Sequence, residues 1–415
     1  MREWSADENV GVGSGLGSPR VVVGVTSAQT CLVLPSRLKA LREGGFRVSL
    51  VSSPGTMAAR GSEVEGVSAH EIPMARAMSL LKDAVAFTRI LCLLRHLKPE
   101  IVEFSTPKAG LLGMLAAWIC RVPVRIYFVR GLRLETVPAF MKAILLWSER
   151  IAAACAHTVV VNSRSLRERT LLLGITGGEK VVLLGEGSSN GVDIERFSPG
   201  PSEVRADFGI PVGARVVGFV GRLTTDKGLP ELLEGFAEVL REMPDSYLLL
   251  VGWFDASEDA LGTRLRLRIE GHPRIVCTGY VADTAPYYRA MDVLVLPSWR
   301  EGFPNAVLEA ASSGVPVVTT TCTGSRDAVV PEVTGLLIPP GDPGMIAKAA
   351  LRLLRDGELR GSMSQAARHW AVTHFEQSRV LGEMVRFYRH LLTNSANEMA
   401  AENAARPATG WTASL

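Results

Sequence analysis

Short runs of consecutive apolar residues alternate with helix-length segments along most of this chain, and that rhythm narrows the folds open to it. Val21-Val22-Val23-Gly24-Val25, Val216-Val217-Gly218-Phe219-Val220 and Val293-Leu294-Val295-Leu296 carry no polar residue on either face. A strand wet on one face alternates, whereas a strand covered on both faces reads as these do, and such strands belong to parallel sheets flanked by helices. The pattern predicts strands over 21–25, 46–51, 101–104, 124–129, 158–161 and 180–184, with helices over 35–43, 80–97, 109–120, 137–156 and 165–173. Gly185-Glu186-Gly187-Ser188-Ser189-Asn190-Gly191 then breaks it as a loop or hinge. A second series follows, with strands over 216–220, 247–251, 274–277, 292–296 and 315–318, and it ends in helices over 345–355, 358–374 and 378–392.

The expected fold is therefore α/β: two doubly wound parallel-sheet domains facing across a cleft, each taking ligand at the carboxyl ends of its strands. The length, 415 residues, suits two cores better than one. The expected divisions are a flexible tail over 1–18, domains over 19–190 and 191–376, a helix over 377–392 crossing back to the first domain, and a polar, Ala-rich tail over 393–415. The alternating glycines Gly11, Gly13, Gly15 and Gly17 do not form a dinucleotide fingerprint, because Leu16 and Ser18 stand where the third glycine belongs.

Composition narrows the partners. A net charge of +3 gives no case for nucleic acid. Residues 1–9 are polar and partly acidic, unlike a signal peptide, and the longest apolar run, 109–120, is about half of the ~20 residues a membrane span needs. A cytoplasmic protein is expected, at most resting against the membrane. The six cysteines are scattered with no Cys-x-x-Cys, which fits reduced, buried thiols. His157, after an apolar helix, reads as a packed core histidine more than a catalyst.

The stretch from Pro297 to Glu309 is the most informative. Behind the strand ending at Leu296, Gly302 permits a tight turn with close backbone approach, and Pro304 suits the first turn of a helix running to about Ser313 and stopping at Gly314. The N-terminus of such a helix presents free N–H groups and the positive end of its dipole, a natural diphosphate site. Glu301 sits just before it and Glu309 on its second turn, so both carboxylates can accept hydrogen bonds from sugar or ribose hydroxyls. Taken alone, two glutamates eight apart usually mark a solvated helix face.

The spacing of Glu301 and Glu309, with Glu301-Gly302-Phe303-Pro304 at its start, resembles the paired-glutamate motif of family 4 glycosyltransferases, which are retaining enzymes of the GT-B fold. The resemblance extends to Gly221-Arg222-Leu223 with Asp226-Lys227-Gly228, Asn190-Gly191-Val192-Asp193, Gly324-Ser325-Arg326-Asp327, and Thr334-Gly335-Leu336-Leu337 with Pro340-Gly341-Asp342. It implies a first domain for the acceptor and a second for a nucleotide sugar, with UDP the default donor. Position by position, it implies that Glu309 holds the ribose hydroxyls, Glu301 binds the donor sugar, and Arg222 and Lys227, beside Gly221, hold the diphosphate. It places Gly279-Tyr280-Val281 near the base and the backbone of Gly302, Phe303, Pro304 and Asn305 near sugar and phosphates. Glu301, Arg222 and Lys227 form the expected catalytic set. No cofactor and no metal are expected, since no Asp-x-Asp occurs and two cations with a helix N-terminus can neutralise a leaving diphosphate. Arg326 and Asp327 read equally as an internal ion pair or as ligand contacts.

In the first half, Ser105-Thr106-Pro107-Lys108 joins a strand to a helix; Thr106 can cap it and Lys108 adds positive charge to an anion-ready end, although a plain capped helix reads the same way. The segments 106–115, 130–135 and 187–197 look like those of members that build capsule, O-antigen and other exopolysaccharides, often on a lipid-diphosphate acceptor such as undecaprenyl diphosphate. That resemblance makes Thr106, Lys108, Arg130 and Arg133 the acceptor-side candidates. Two departures stand out: Arg130 replaces a histidine common before Gly131, and Thr26-Ser27-Ala28-Gln29-Thr30 lacks the usual glycine pair. The helix over 80–98, with Lys82, Arg89, Arg95, His96 and Lys98, could rest on anionic lipid at the inner membrane face or pack ordinarily with its charges in water. The rivals to a transferase are a sugar-nucleotide epimerase of similar architecture and a non-catalytic sugar-nucleotide-binding subunit.

Overall fold

The computed structural model describes residues 18–55, 64–75, 79–255 and 260–405; the glycine-rich stretch and nearly all of the tail expected over 1–18 lie outside them. Within these residues the chain builds two sheets. The first contains β1 (Arg20–Gly24), β2 (Arg47–Ser52), β3 (Val67–Glu71), β4 (Ile101–Ser105), β5 (Val124–Val129), β6 (Thr158–Val161) and β7 (Val181–Leu183), in the order β3-β2-β1-β4-β5-β6-β7. The crossovers carry α1 (Pro35–Glu43), α2 (Leu80–Leu97), α3 (Pro107–Ile119), α4 (Ala139–Cys155) and α5 (Arg164–Leu172). Val21, Val22 and Val23 are at most 1% exposed, as a strand covered on both faces must be.

The second sheet contains β8 (Val216–Val220), β9 (Tyr247–Val251), β10 (Ile275–Cys277), β11 (Val293–Leu296), β12 (Val317–Thr320) and β13 (Gly335–Ile338), in the order β10-β9-β8-β11-β12-β13, and every neighbouring pair is parallel. Around it lie α6 (Val204–Asp207), α7 (Leu229–Glu242), α8 (Thr263–Glu270), α9 (Ala285–Arg289), α10 (Asn305–Ser312), α11 (Pro343–Arg355) and α12 (Gly357–Phe375), and α13 (Gln377–Ala405) closes the chain. In each sheet the strand order reverses beside the first strand of its series, between β1 and β4 and between β8 and β11. Such a reversal opens a crevice at the carboxyl ends of the two strands, because their crossovers leave in opposite directions.

Two compact units arise. One comprises Val129–Trp147 and Val160–Val380, with one apolar cluster around β8–β12 and α7, α10 and α11. The other comprises the described residues up to Phe128, then Ser148–Val159 and those from Leu381 on. In that second unit Arg37, fully buried, pairs with Glu103 of β4 and donates to the Tyr388 hydroxyl of α13 at 3.0 Å, while its guanidinium lies 4.9 Å from the Phe128 ring centre. Tyr388 in turn donates to Glu103, so the three buried side chains are each joined to the other two.

Three elements differ from the sequence expectation. β3 and β13 were not expected as strands; β3 reads Val-Ser-Ala-His-Glu with no apolar run, since it is an exposed edge. The tail expected from Thr393 is helical to Ala405, because its Ala, Glu and Met residues are strong helix formers. His157 is exposed, its Nδ1 accepting the Arg125 N–H at 3.3 Å, and Cys92 is exposed, not buried.

Candidate active site

The chemistry-bearing residues gather where β8 and β11 end. Beyond β8 the chain turns through Gly221, Arg222 and a short helical turn, Thr225–Lys227; beyond β11 it runs through Pro297 and Ser298 to Glu301. Gly228 (φ 72°) lets these loops touch: a Cβ there would lie 2.1 Å from the Pro297 carbonyl oxygen. The Trp299 N–H donates to the Asp226 carbonyl at 3.0 Å, completing the join.

Gly302 is required for a second close approach. A Cβ on it would lie 2.2 Å from the Arg130 carbonyl oxygen, and one on Gly324 (φ 82°) would lie 2.2 Å from the Gly302 carbonyl oxygen. The Glu301 N–H donates to the Thr323 carbonyl at 3.2 Å, and the Thr323 hydroxyl donates to Glu135 at 2.9 Å. The turn at Glu301–Gly302 is thus held between the segment starting at Arg130 and the loop after β12. Phe303 is 6% exposed and tilts against Phe375, ring centres 5.2 Å apart. Its side chain anchors the turn, leaving the backbone for any ligand.

Glu301 is fixed by two donors: Lys227 Nζ at 2.5 Å and Ser298 Oγ at 2.8 Å, both to Oε1. Arg222 donates to Asp255 at 2.6 Å. Asp226 accepts from Thr224 Oγ1 at 2.6 Å and from Arg300 at 2.9 Å. Burial pushes the Asp226 carboxyl upward, but Lys227, Arg300, Thr224 and Arg222 together outweigh it and hold it below its ordinary range. Asp226 therefore stays ionised and organises the cations of the crevice.

α10 starts with Pro304 as its N-cap (φ −75°, ψ 112°), one residue earlier than the first-turn position expected for it, with Asn305 as first helical residue. No side chain caps this end and no acid lies in its first turn, so its amides and dipole keep their affinity for an anion. One turn on, Glu309 is half-buried and accepts from the buried Tyr288 hydroxyl at 2.7 Å. Burial pushes the Glu309 carboxyl above its ordinary range, against the Tyr288 hydrogen bond and Arg196, which favour the anion. Gly279 (φ 70°) bridges to Gly252, and Tyr280, 41% exposed, meets Trp253 edge-on at 5.5 Å; Val281 follows, half-buried.

Of the acceptor-side candidates, Arg130 and Arg133 belong to the same compact unit as this crevice, Arg130 through its backbone against Gly302. Thr106 and Lys108 belong to the other unit, at the β1/β4 crevice. Thr106 does not cap α3; it adopts φ 71°, costly for a β-branched residue, and its Oγ1 accepts the Thr26 N–H at 3.1 Å. Thr26 Oγ1 takes over the capping, accepting the Ala109 N–H at 3.0 Å, so the loop lacking the glycine pair still engages the helix end. Lys108 does not add charge to that end either: it is bound to Asp83 at 2.7 and 3.0 Å. Arg326 and Asp327 do not pair with each other. Arg326 binds Glu168, while Asp327 accepts the Ser165 N–H at 2.9 Å and the Ser165 hydroxyl.

Sequence reasoning missed Asp255, Tyr288, Ser298 and Trp253. Asp226 stood inside a recognised motif, but its role as a hub needs Arg300, 74 residues away, to be brought beside it.

The family described as "Glycosyl transferase 4-like domain" matches residues 36–187, and "Glycosyl transferases group 1" matches 214–356. The chain is 33% identical to the capsular polysaccharide biosynthesis glycosyltransferase CapM of Staphylococcus aureus, over 89% of this chain and 97% of that protein. It is 27% identical to the UDP-Gal:alpha-D-GlcNAc-diphosphoundecaprenol alpha-1,3-galactosyltransferase of Escherichia coli, over 80% of this chain and 86% of that one. Among solved structures, Anabaena HepE in complex with UDP and glucose superposes with a TM-score of 0.75 at 20% identity, covering 90% of this chain and 100% of HepE, a likeness of fold. With both halves matched and the paired glutamates in place, the chain belongs to the group 1, family 4 glycosyltransferases and carries their GT-B fold.

Proposed function

We propose that this glycosyltransferase moves a hexosyl or N-acetylhexosaminyl group from a UDP-sugar to a glycan acceptor carried on undecaprenyl diphosphate. It acts in bacterial surface polysaccharide synthesis at the inner face of the cytoplasmic membrane, with retention of configuration. The observation that carries the reading is the crevice at β8 and β11, where Lys227, Ser298 and Glu301 form one hydrogen-bonded group beside an uncapped helix N-terminus. The names of the S. aureus and E. coli relatives support the polymer and the acceptor class.

On this reading the diphosphate lies against Arg222, Lys227 and the first amides of α10, which meet its charge without a divalent cation. Glu309 accepts the ribose hydroxyls, Glu301 accepts hydroxyls of the sugar, and Tyr280 lies by the base. The bond from C1 to the β-phosphate oxygen breaks as the acceptor oxygen bonds C1 on the same face, and the acceptor's proton passes to the departing phosphate oxygen. Lys227 and Ser298 fix Glu301 as a binding group rather than a nucleophile. Arg130 and Arg133 serve the phosphates of the acceptor; Thr106 and Lys108, in the other compact unit, are the remaining acceptor-side candidates. Membrane contact draws on α2, whose Lys82, Arg89, Arg95, His96 and Lys98 are all exposed while Ala86, Ile90 and Leu94 are buried.

The test is nucleotide release by purified protein with UDP- and GDP-sugars and a lipid-diphosphate sugar acceptor, beside Glu301→Ala. Acceptor-dependent UDP release, reduced at least a hundredfold in the variant, with the product's anomeric configuration retained by NMR, is the expected outcome. Alteration of the donor without acceptor would mark an epimerase; nucleotide binding with no turnover would mark a binding subunit; an inverted product would overturn the same-face step.

A further inference from the structure

Beyond β8 and β9 two loops run side by side. The Gly221 N–H donates to the Val251 carbonyl at 3.0 Å and the Leu223 N–H to the Trp253 carbonyl at 2.9 Å. The pairing of the two strands thus continues past their ends as far as a bridge between Leu223 and Phe254. Gly252 permits it, since a Cβ there would lie 1.8 Å from the Gly221 carbonyl oxygen. This continued register brings Asp255, next after Phe254, against Arg222, next before Leu223.

The resulting pair is asymmetric. The Asp255 side chain is 5% exposed and accepts from Arg222 Nη1 at 2.6 Å, whereas the Arg222 side chain is 27% exposed. A guanidinium carries five N–H donors. Among the described residues Arg222 makes this one side-chain hydrogen bond; its other carboxylate neighbour, Asp226, stands 3.8 Å from Nη2, beyond hydrogen-bond length. Arg222 is held by a buried acid while the rest of its fork stays available to a ligand. An ion pair with a buried partner is a weak source of stability, because desolvation offsets the attraction. Its stronger effect is on orientation: a planar fork fixed at one nitrogen has already given up rotamers that a free arginine would lose on binding.

We infer that Asp255 is a positioning residue for donor cleavage, holding the Arg222 guanidinium where negative charge grows on the departing diphosphate. This rests on the proposed reading that Arg222 meets that diphosphate, and it adds a residue that acts through Arg222 alone. The Asp255 charge also offsets that of Arg222, so it lowers the attraction felt by a diphosphate at rest while improving the geometry for the transition state. Removing the charge therefore moves binding and turnover in opposite directions, which the loss of a structural contact does not do.

The experiment measures UDP affinity by calorimetry, and steady-state transfer with the UDP-sugar and lipid-diphosphate acceptor that support turnover. It compares wild type, Asp255→Asn, Asp255→Glu, Arg222→Ala and the Asp255→Asn/Arg222→Ala double variant, each with a thermal melt. Asp255→Asn keeps the shape and an acceptor for Arg222 but gives up the charge. It is expected to lower kcat about tenfold while UDP affinity stays level or rises by up to about threefold. Asp255→Glu, which keeps the charge, is expected to retain more of kcat than Asp255→Asn. In the Arg222→Ala background, Asp255→Asn is expected to cost nothing further in kcat, because no guanidinium remains to position. The assignment is overturned by an unchanged kcat in Asp255→Asn, or by the same loss with and without Arg222. It is overturned equally by weakened UDP binding together with a lowered melt, which would make Asp255 a structural residue. If Arg222→Ala itself keeps UDP affinity and kcat, the diphosphate role of Arg222 fails and the positioning role with it. Damage in Arg222→Ala with none in Asp255→Asn removes the positioning role and leaves the proposed function standing.

Discussion

Each compact unit holds a glutamate that accepts a hydrogen bond from a buried tyrosine. In one, Tyr288 donates to Glu309 at 2.7 Å; in the other, Tyr127 donates to Glu149 at 2.5 Å. In both, burial pushes the carboxyl above its ordinary range and the tyrosine well above its own. What separates them is access. Glu309 is half-buried on the helix whose N-terminus faces the β8/β11 crevice, and Arg196 favours its anion. Glu149 is 2% exposed, and its Tyr127 ring is the surface against which α3 packs: a Cβ on Gly110 would lie 2.3 Å from that ring. On the proposed reading, the same pair of side chains serves a ligand in one place and a helix contact in the other. Burial and a perturbed carboxyl alone do not mark a functional residue.

The sharpest way to break the comparison is Glu309→Gln. The amide keeps the volume and can still accept from Tyr288, but it is a weaker acceptor for ribose hydroxyls. On the proposed reading kcat/KM falls about a hundredfold or more while the melting temperature stays within a few degrees. Steady-state kinetics and a thermal melt on one preparation decide it. Unchanged kinetics with a lowered melt would make Glu309 a structural residue like Glu149.

That distinction could not be drawn from the sequence. The runs at Val21–Val25 and Val293–Leu296 announce buried parallel strands because nothing in them is polar, and the Glu301 motif announces its helix through Gly302 and Pro304. Glu149 gives no such signal: it lies in an apolar helical segment where a solvated charge and a buried one look alike, and its partner Tyr127 is brought to it only by the pairing of β5 with its neighbours. Asp255 and Tyr288 were illegible for the same reason, each meeting its partner across 33 and 21 residues. Phe140 and Trp147 on α4 are the converse case: the apolar segment reads as core, yet the two side chains are 67% and 62% exposed.

Glu149→Gln tests the structural half. The folded chain raises this carboxyl from 4.5 to about 7. A raised folded value means that the folded state keeps the proton longer than the unfolded chain does. The associated stability is present in full below about pH 4.5, declines as pH rises toward 7, and is gone above it. The shift corresponds to an upper bound of order 3 kcal/mol. Urea denaturation at pH 5 and pH 8 is expected to show wild type losing stability between the two, with the difference reduced in the glutamine variant and donor kinetics alike in both. A pH dependence identical in the two proteins would show that Glu149 is not the titrating group.

Tyr288→Phe sharpens the functional half by the smallest step. It removes one hydrogen bond, worth about 0.5–1.5 kcal/mol, and leaves the ring packed edge-on against Phe197 at 5.8 Å. Because the Tyr288 bond favours ionised Glu309 while burial opposes it, losing the bond raises the carboxyl further, and the acid limb of the rate profile moves to higher pH. At neutral pH the expected loss is about three- to tenfold in kcat/KM, carried mainly by KM, since a ribose contact acts alike in the ground and transition states. Tyr127→Phe, the matching change at the other pair, is expected to move neither KM nor the acid limb. If both tyrosines shift the profile equally, the two pairs are not distinguished by access, and the division between ligand group and structural group fails at the residue where it is drawn most finely.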